Sequence, residues 1–135
     1  MSTSLDPITL EIQWQRLVTI ADEMDNATIR ASFSTIVGES HDFGCVIMDQ
    51  SGSAIAQAQF SPPQFCTMLP ITTGHMLKRF PVETLREGDV LVTNDPWLGS
   101  THLPDYNLVT PMFRHGKVVA FLGTVAHVSD VGGHL

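Results

Sequence analysis

Residues 106–127 read Y-N-L-V-T-P-M-F-R-H-G-K-V-V-A-F-L-G-T-V-A-H, and the placing of this segment decides the fold. Two β-rich runs, Tyr106 to Phe113 and Lys117 to His127, flank the turn signal R-H-G. Runs of valine, threonine and phenylalanine split by glycine predict two strands joined by a tight turn. Upstream, Gly88-Asp89 opens a further strand, V-L-V-T-N, which Asp95-Pro96 stops. Earlier still, residues 44–59 read as a hairpin, G-C-V-I-M-D followed by A-I-A-Q-A-Q, with Asp49 to Ser53 as its turn. The stretch S-P-P-Q-F-C-T-M-L-P is expected to be a loop, because paired prolines break both helix and ladder. Ile71 to Phe80 predicts a short helix that ends before Pro81.

The first third of the chain has a different period. Asp6 and Pro7 suit an N-cap and a first helical residue, since proline loses nothing where an amide has no intrahelical partner. Leu10, Trp14, Leu17, Ala21 and Met24 then recur at helical spacing, predicting a helix from Pro7 to about Ala31. Glu11, Asp22 and Glu23 fall on its outer side. The stripe is expected to pack into the core, with Trp14 facing a partner subunit as the alternative. The result is an α+β chain, a long N-terminal helix followed by a mixed, strand-rich sheet domain. Residues 1–135 form a single domain without repeats or linkers. Leu135 follows closely on Gly132-Gly133, where a loop would lead onward, so the domain is expected to be part of a larger assembly.

Composition narrows the function. A hydrophobic share of 43% against a charged share of 16% fits a packed protein, with apolar surface to spare for a partner chain. With 14 acidic and 7 basic side chains the net charge is −7, which repels nucleic-acid phosphates. Lys78-Arg79 is only a helix-end pair. No run approaches the roughly 20 apolar residues that cross a bilayer. The start, M-S-T-S-L-D-P, lacks the parts of a signal peptide, so a soluble, cytoplasmic protein is expected. Cys45 and Cys66 form no C-x-x-C and read as buried free thiols.

The residues able to carry chemistry cluster in N-D-P-W-L-G-S-T-H-L-P-D, residues 94–105. His102 and Asp105 stand three apart in a loop too rich in glycine and proline for a helix, and a curled loop can turn both side chains to one point. A capped turn with a solvated histidine is the competing account. His127 ends an apolar strand, where alternation places it with Val119, Phe121 and Val125. Imidazole on such a face favours its neutral form, the one that binds metals; a core histidine bonded to one carbonyl is the alternative. Asp42, before the hairpin, is a carboxylate entering a core, which must be paired, hydrogen-bonded or metal-bound. Its neighbour His41 points the other way in an extended chain. Asp130 either orients His127 or caps the Gly-Gly turn. Gly99-Ser100-Thr101 could present amides to an anion, but no phosphate-loop, dinucleotide or nucleophile-elbow motif is present. Metal-assisted hydrolysis or Lewis-acid activation is the chemistry these residues support best.

Several blocks occur in a telling order: Asp6-Pro7 with I-T-L-E-I, then H-D-F-G-C-V-I-M-D, A-Q-A-Q, G-D-V-L-V-T-N-D-P-W-L-G-S-T-H-L-P-D and A-H-V-S-D-V-G-G. Together they resemble the N-terminal portion of the hydantoinase B/oxoprolinase family. The resemblance implies ATP-dependent hydrolysis of a cyclic amide, of the hydantoin, oxoproline or lactam type. It implies a hydantoinase A-like subunit that binds ATP and Mg and phosphorylates the small-molecule substrate, whose ring carbon is then attacked by metal-activated water. It also implies that the remaining hydantoinase B-like polypeptide completes the subunit. Carried over by motif, the metal ligands become Asp42, His102, Asp105 and His127, with His102, Asp105 and His127 catalytic. The ion would be Zn, Mn, Fe or Co. Alternatives are a subunit of an ATP-dependent ketone carboxylase of the acetone or acetophenone type, and a non-catalytic interaction subunit. Two positions depart from the family pattern: Gly44 replaces the serine of D-F-S-C, and Val128 the second histidine of A-H-H-A-D.

Overall fold

A computed structural model describes residues 6–99 and 102–132. Ser100, Thr101, Gly133 and Leu135, which figure in the expectations above, lie outside those residues. Helix α1 (Pro7–Ala31) begins where expected, its first amides held by the Asp6 carboxylate, which accepts from the Ile8 and Thr9 N–H groups at 3.1 Å. A single helical turn, α2 (Thr35–Gly38), leads into the hairpin of β1 (Phe43–Met48) and β2 (Ala54–Gln57). Helix α3 (Pro63–Arg79), β3 (Leu91–Thr93), β4 (Asp105–Arg114) and β5 (Lys117–His127) follow. The strands form one sheet in the order β2-β1-β5-β4-β3, antiparallel at every junction.

The two helices lie on opposite faces of this sheet. Val46 and Met48 of β1 join Phe121 and Val125 of β5, Val109 of β4 and Leu69 of α3 in one core. Phe43, Cys45 and Ile47 point the other way, into a second core with Ala21 of α1. Strand β1 is therefore buried along its whole length, as a strand covered on both sides must be. Helix α1 packs mainly on β1 and β2. The same face further across the sheet leaves Val92, Leu108 and Met112 exposed.

The hairpin of β4 and β5 turns through His115 and Gly116, both at positive φ (51° and 74°), between the paired residues Arg114 and Lys117. Two central residues at positive φ are what a type I′ turn demands, and that turn matches the strands' right-handed twist. Past the turn the register shifts by one: Phe113 pairs with Val118, but Met112 pairs with Ala120, leaving Val119 as a bulge. Val119 is consequently turned out and exposed, and does not share the buried face with Phe121 and Val125. The alternation that placed it there assumed an unbroken strand.

Two further expectations give way. The S-P-P-Q-F-C-T-M-L-P stretch is mostly helix, because Pro63 occupies the first turn of α3, where its missing N–H costs nothing. Pro70 lies inside that helix, and the buried row Phe65, Cys66, Leu69, Thr72, Thr73 and Met76 holds the chain helical across it. The α1 stripe is buried only in its second half. Ala21 is sealed and Leu17 and Met24 are half-covered, but Leu10 and Trp14 are exposed where the helix runs over the edge strand β2. The Trp14 indole N–H donates to the Ile55 carbonyl at 3.3 Å.

Candidate metal centre

Register builds the site. On the α3 face, β4 and β5 place Asp105 directly opposite His127, and the His127 N–H donates to the Asp42 carbonyl at 2.9 Å, continuing the β1–β5 ladder. Asp42, His127 and Asp105 thus form a row across one end of three adjacent strands. Opposed residues in antiparallel strands project to the same side. The one-residue shift at Val119 matters here, since without it Asp105 would face Ala126.

The fourth member arrives from the loop between β3 and β4. Asn94 donates its side-chain N–H to the Leu103 carbonyl at 3.0 Å, and the Asp95 carboxylate accepts the Trp97 N–H at 2.9 Å. Gly99, at φ 152°, lies so close to α3 that a Cβ there would stand 1.9 Å from the Thr72 hydroxyl. The loop then brings the His102 ring within 5.8 Å of the His127 ring, centroid to centroid.

Asp105 is the hub. Its side chain is 1% exposed, and a buried carboxylate needs partners. One oxygen lies 2.7 Å from His127 Nδ1; the other lies 3.4 Å from His102 Nδ1 and accepts the His102 N–H at 3.3 Å. Ligand atoms of His102, Asp105 and His127 all fall within 4.8 Å of one another. Asp42 stands at the rim, its carboxylate 3.9 Å from His127 Nδ1. Its side chain is 37% exposed, so it does not enter the core as its place beside an apolar strand suggested. Strand β1 starts only at Phe43, which leaves Asp42 on the open end of the sheet. Two imidazoles and a buried carboxylate, with a second carboxylate beside them, fit a borderline divalent cation.

Other candidates resolve in place. Asp130 accepts the Gly132 N–H at 2.8 Å, so it caps the turn, and the carboxylate that orients His127 is Asp105 itself. His41 does point away from the row. It meets Asp25, a buried helical carboxylate that sequence reasoning overlooked, at 3.1 Å. Both cysteines are free and buried; burial pushes the Cys45 thiol up to about 11 and raises Cys66 as well. Neither is an activated nucleophile. Gly44 admits α3, since a Cβ there would lie 2.9 Å from the Phe65 Cβ. A cleft of about 580 Å³ opens beside His127, walled by Ile36, Leu103 and Tyr106 with Asn94 and Asp130 as polar members, and no Lys or Arg lines it. No described helix is long and apolar enough to cross a membrane.

The hydantoinase B/oxoprolinase family matches residues 6–135. 5-Oxoprolinase 1 of Arabidopsis thaliana is 39% identical over 128 residues, covering 95% of this chain and 10% of the plant protein. The ATP-dependent caprolactamase of Pseudomonas jessenii superposes with a TM-score of 0.78 at 25% identity, over 98% of this chain and 23% of its own. A nucleotide-free acetone carboxylase shares the fold with a TM-score of 0.81 at 18% identity, over 91% and 16% respectively. The chain spans about a tenth of the length of the 5-oxoprolinases it matches.

Proposed function

Because the chain belongs to the hydantoinase B/oxoprolinase family, we propose that it is the metal-bearing part of an ATP-dependent cyclic-amide hydrolase. The observation that carries this reading is Asp105, a buried carboxylate whose two oxygens each face an imidazole, one of which, His127, lines an open cleft. His102, Asp105 and His127 hold the cation and form the catalytic centre, with Asp42 completing the set from the rim. When bound, a divalent ion supplies Lewis acidity there, polarising a carbonyl and lowering the pKa of water to about 7 in favourable sites.

The chain's own residues do the positioning. Asp105 fixes both rings at once, so neither imidazole has to be ordered when substrate arrives. The apolar walls of Leu103, Tyr106 and Ile36 suit the hydrocarbon part of a small ring. Amide carbonyls are poor electrophiles, and transfer of phosphate from ATP to the amide oxygen by a hydantoinase A-like partner makes the ring carbon susceptible to water. The remaining hydantoinase B-like polypeptide supplies the rest of the pocket.

The test is ATP-dependent ring opening by the complete enzyme, assayed on hydantoin, 5-oxoproline and a lactam. A His102→Ala variant is expected to be inactive, and full activity in that variant would remove the proposal. Bicarbonate-dependent ATP turnover with a ketone, without ring opening, would select the carboxylase chemistry instead. Metal analysis showing no stoichiometric ion in the active complex would leave the chain an interaction element.

A further inference from the structure

We propose that Asp25 and His41 are positioning residues for the metal centre. Their pairing clamps the left-handed residue that precedes Asp42, whose carboxylate stands beside His127. The inference rests on the metal reading above and concerns the opposite face of the sheet.

His41 has φ 54°, one of two described non-glycine residues at positive φ. The other, His115, is required by the hairpin turn. His41 lies in no hairpin; it joins the end of α2 to the start of β1. Holding an L-residue in that conformation costs about 1–2 kcal/mol, so something must retain it. What retains it is on the α1 side. The ring Nε2 is 3.1 Å from a carboxylate oxygen of Asp25, which is itself only 4% exposed. The ring also stacks on Phe43 at 4.5 Å and meets the edge of Phe60 at 6.3 Å.

The consequence falls on the next residue. Asp42 is tied through its backbone alone: its N–H donates to the Ile36 carbonyl at 3.3 Å and its carbonyl accepts from His127. Among the described residues no hydrogen bond holds its carboxylate. The ladder bond to His127 sets the side on which Asp42 emerges, and the turn at His41 sets how the chain enters that position, with the carboxylate 3.9 Å from His127 Nδ1. A buried aspartate on a helix face that otherwise packs apolar side chains is costly to retain. Delivery of a ligand accounts for it, whereas general packing would favour leucine.

The experiment is a Co²⁺ titration of the complete protein, read by the visible absorption of the bound ion. His41→Ala is expected to weaken Co²⁺ binding about tenfold, the lower end for groups that orient ligands. His41→Gln, which still reaches Asp25, should restore most of that loss. In an Asp42→Ala background His41→Ala should cost nothing further, because its effect passes through Asp42. An equal tenfold loss in that background, or no loss in the parent, overturns the inference. Should His41→Ala fail to fold, His41→Asn tolerates positive φ but is too short to reach Asp25, and carries the same expectation. A parent protein that binds no Co²⁺ would remove the metal reading and this inference with it. Unchanged binding in His41→Ala, beside a parent that binds, overturns this inference alone.

Discussion

Two histidine–aspartate pairs sit on opposite faces of one sheet, and their differences locate the chemistry. Asp105 with His127, at 2.7 Å, and Asp25 with His41, at 3.1 Å, each join a buried carboxylate to a partly exposed ring. The first pair has further donors within reach, His102 and Asp42, and opens on a cleft. The second is walled by Phe43 and Phe60 and has no second imidazole beside it among the described residues. A His–Asp pair is thus not a site in itself. The company it keeps decides whether it can bind an ion or only hold a chain in shape.

That contrast can be broken most directly at the carboxylates. Groups that merely orient a ligand are worth about 10–100-fold, so Asp105→Ala is expected to lower ATP-dependent ring opening by more than about 100-fold. Asp25→Ala should stay within about tenfold in the same assay, and equal losses would erase the distinction. The aromatic wall comes next. Phe43 is fully buried, and Phe43→Ala should destabilise the fold by about 3–5 kcal/mol in urea unfolding, while exposed Phe60 should cost under about 1 kcal/mol.

Cys45 shares the α1-side core with Phe43 and sharpens the comparison through pH. Burial raises its thiol to about 11, so the unfolded chain loses this proton first as pH rises. Stability should therefore decline from about pH 9 towards pH 11, by on the order of 2–3 kcal/mol in total. Cys45→Ala should lose that component of the slope, and an unchanged profile would mean water reaches this face. The smallest effect concerns the loop over α3. Gly99→Ala must relieve the contact with Thr72 at a cost of about 1–3 kcal/mol. Because the loop carries His102, weaker Co²⁺ binding should exceed any fall in the urea midpoint.

Much of this arrangement could be read from residue order. Asp6-Pro7 marks the start of α1 through its cap, and the run from Lys117 to His127 matches β5 at both ends. His102, Asp105 and His127 meet, as their chemistry suggested. What could not be read was tertiary. The prolines around Phe65 hide a helix whose stability comes from the sheet beneath it, not from its own propensity. The exposure of Trp14 follows from its place over Ile55 of the edge strand β2. Asp25 does not stand out in the sequence, because its partner His41 lies 16 residues away and is turned by a positive φ that nothing in E-S-H-D announces.

The bulge at Val119 leaves one last implication, which concerns chain length and not chemistry. In a ladder, the side on which a residue emerges depends on whether an odd or even number of positions separates it from a fixed point. His127 inherits its side from that parity. Adding two residues after Ala120 would keep the imidazole on the α3 side, and deleting Val119 would remove the bulge while leaving Asp105 opposite His127, whereas deleting one residue between Phe121 and Ala126 would swing the imidazole towards α1 and put Val128 opposite Asp105. Relatives of this domain should therefore tolerate insertions at the His115-Gly116 tip far more readily than single-residue changes between Phe121 and His127.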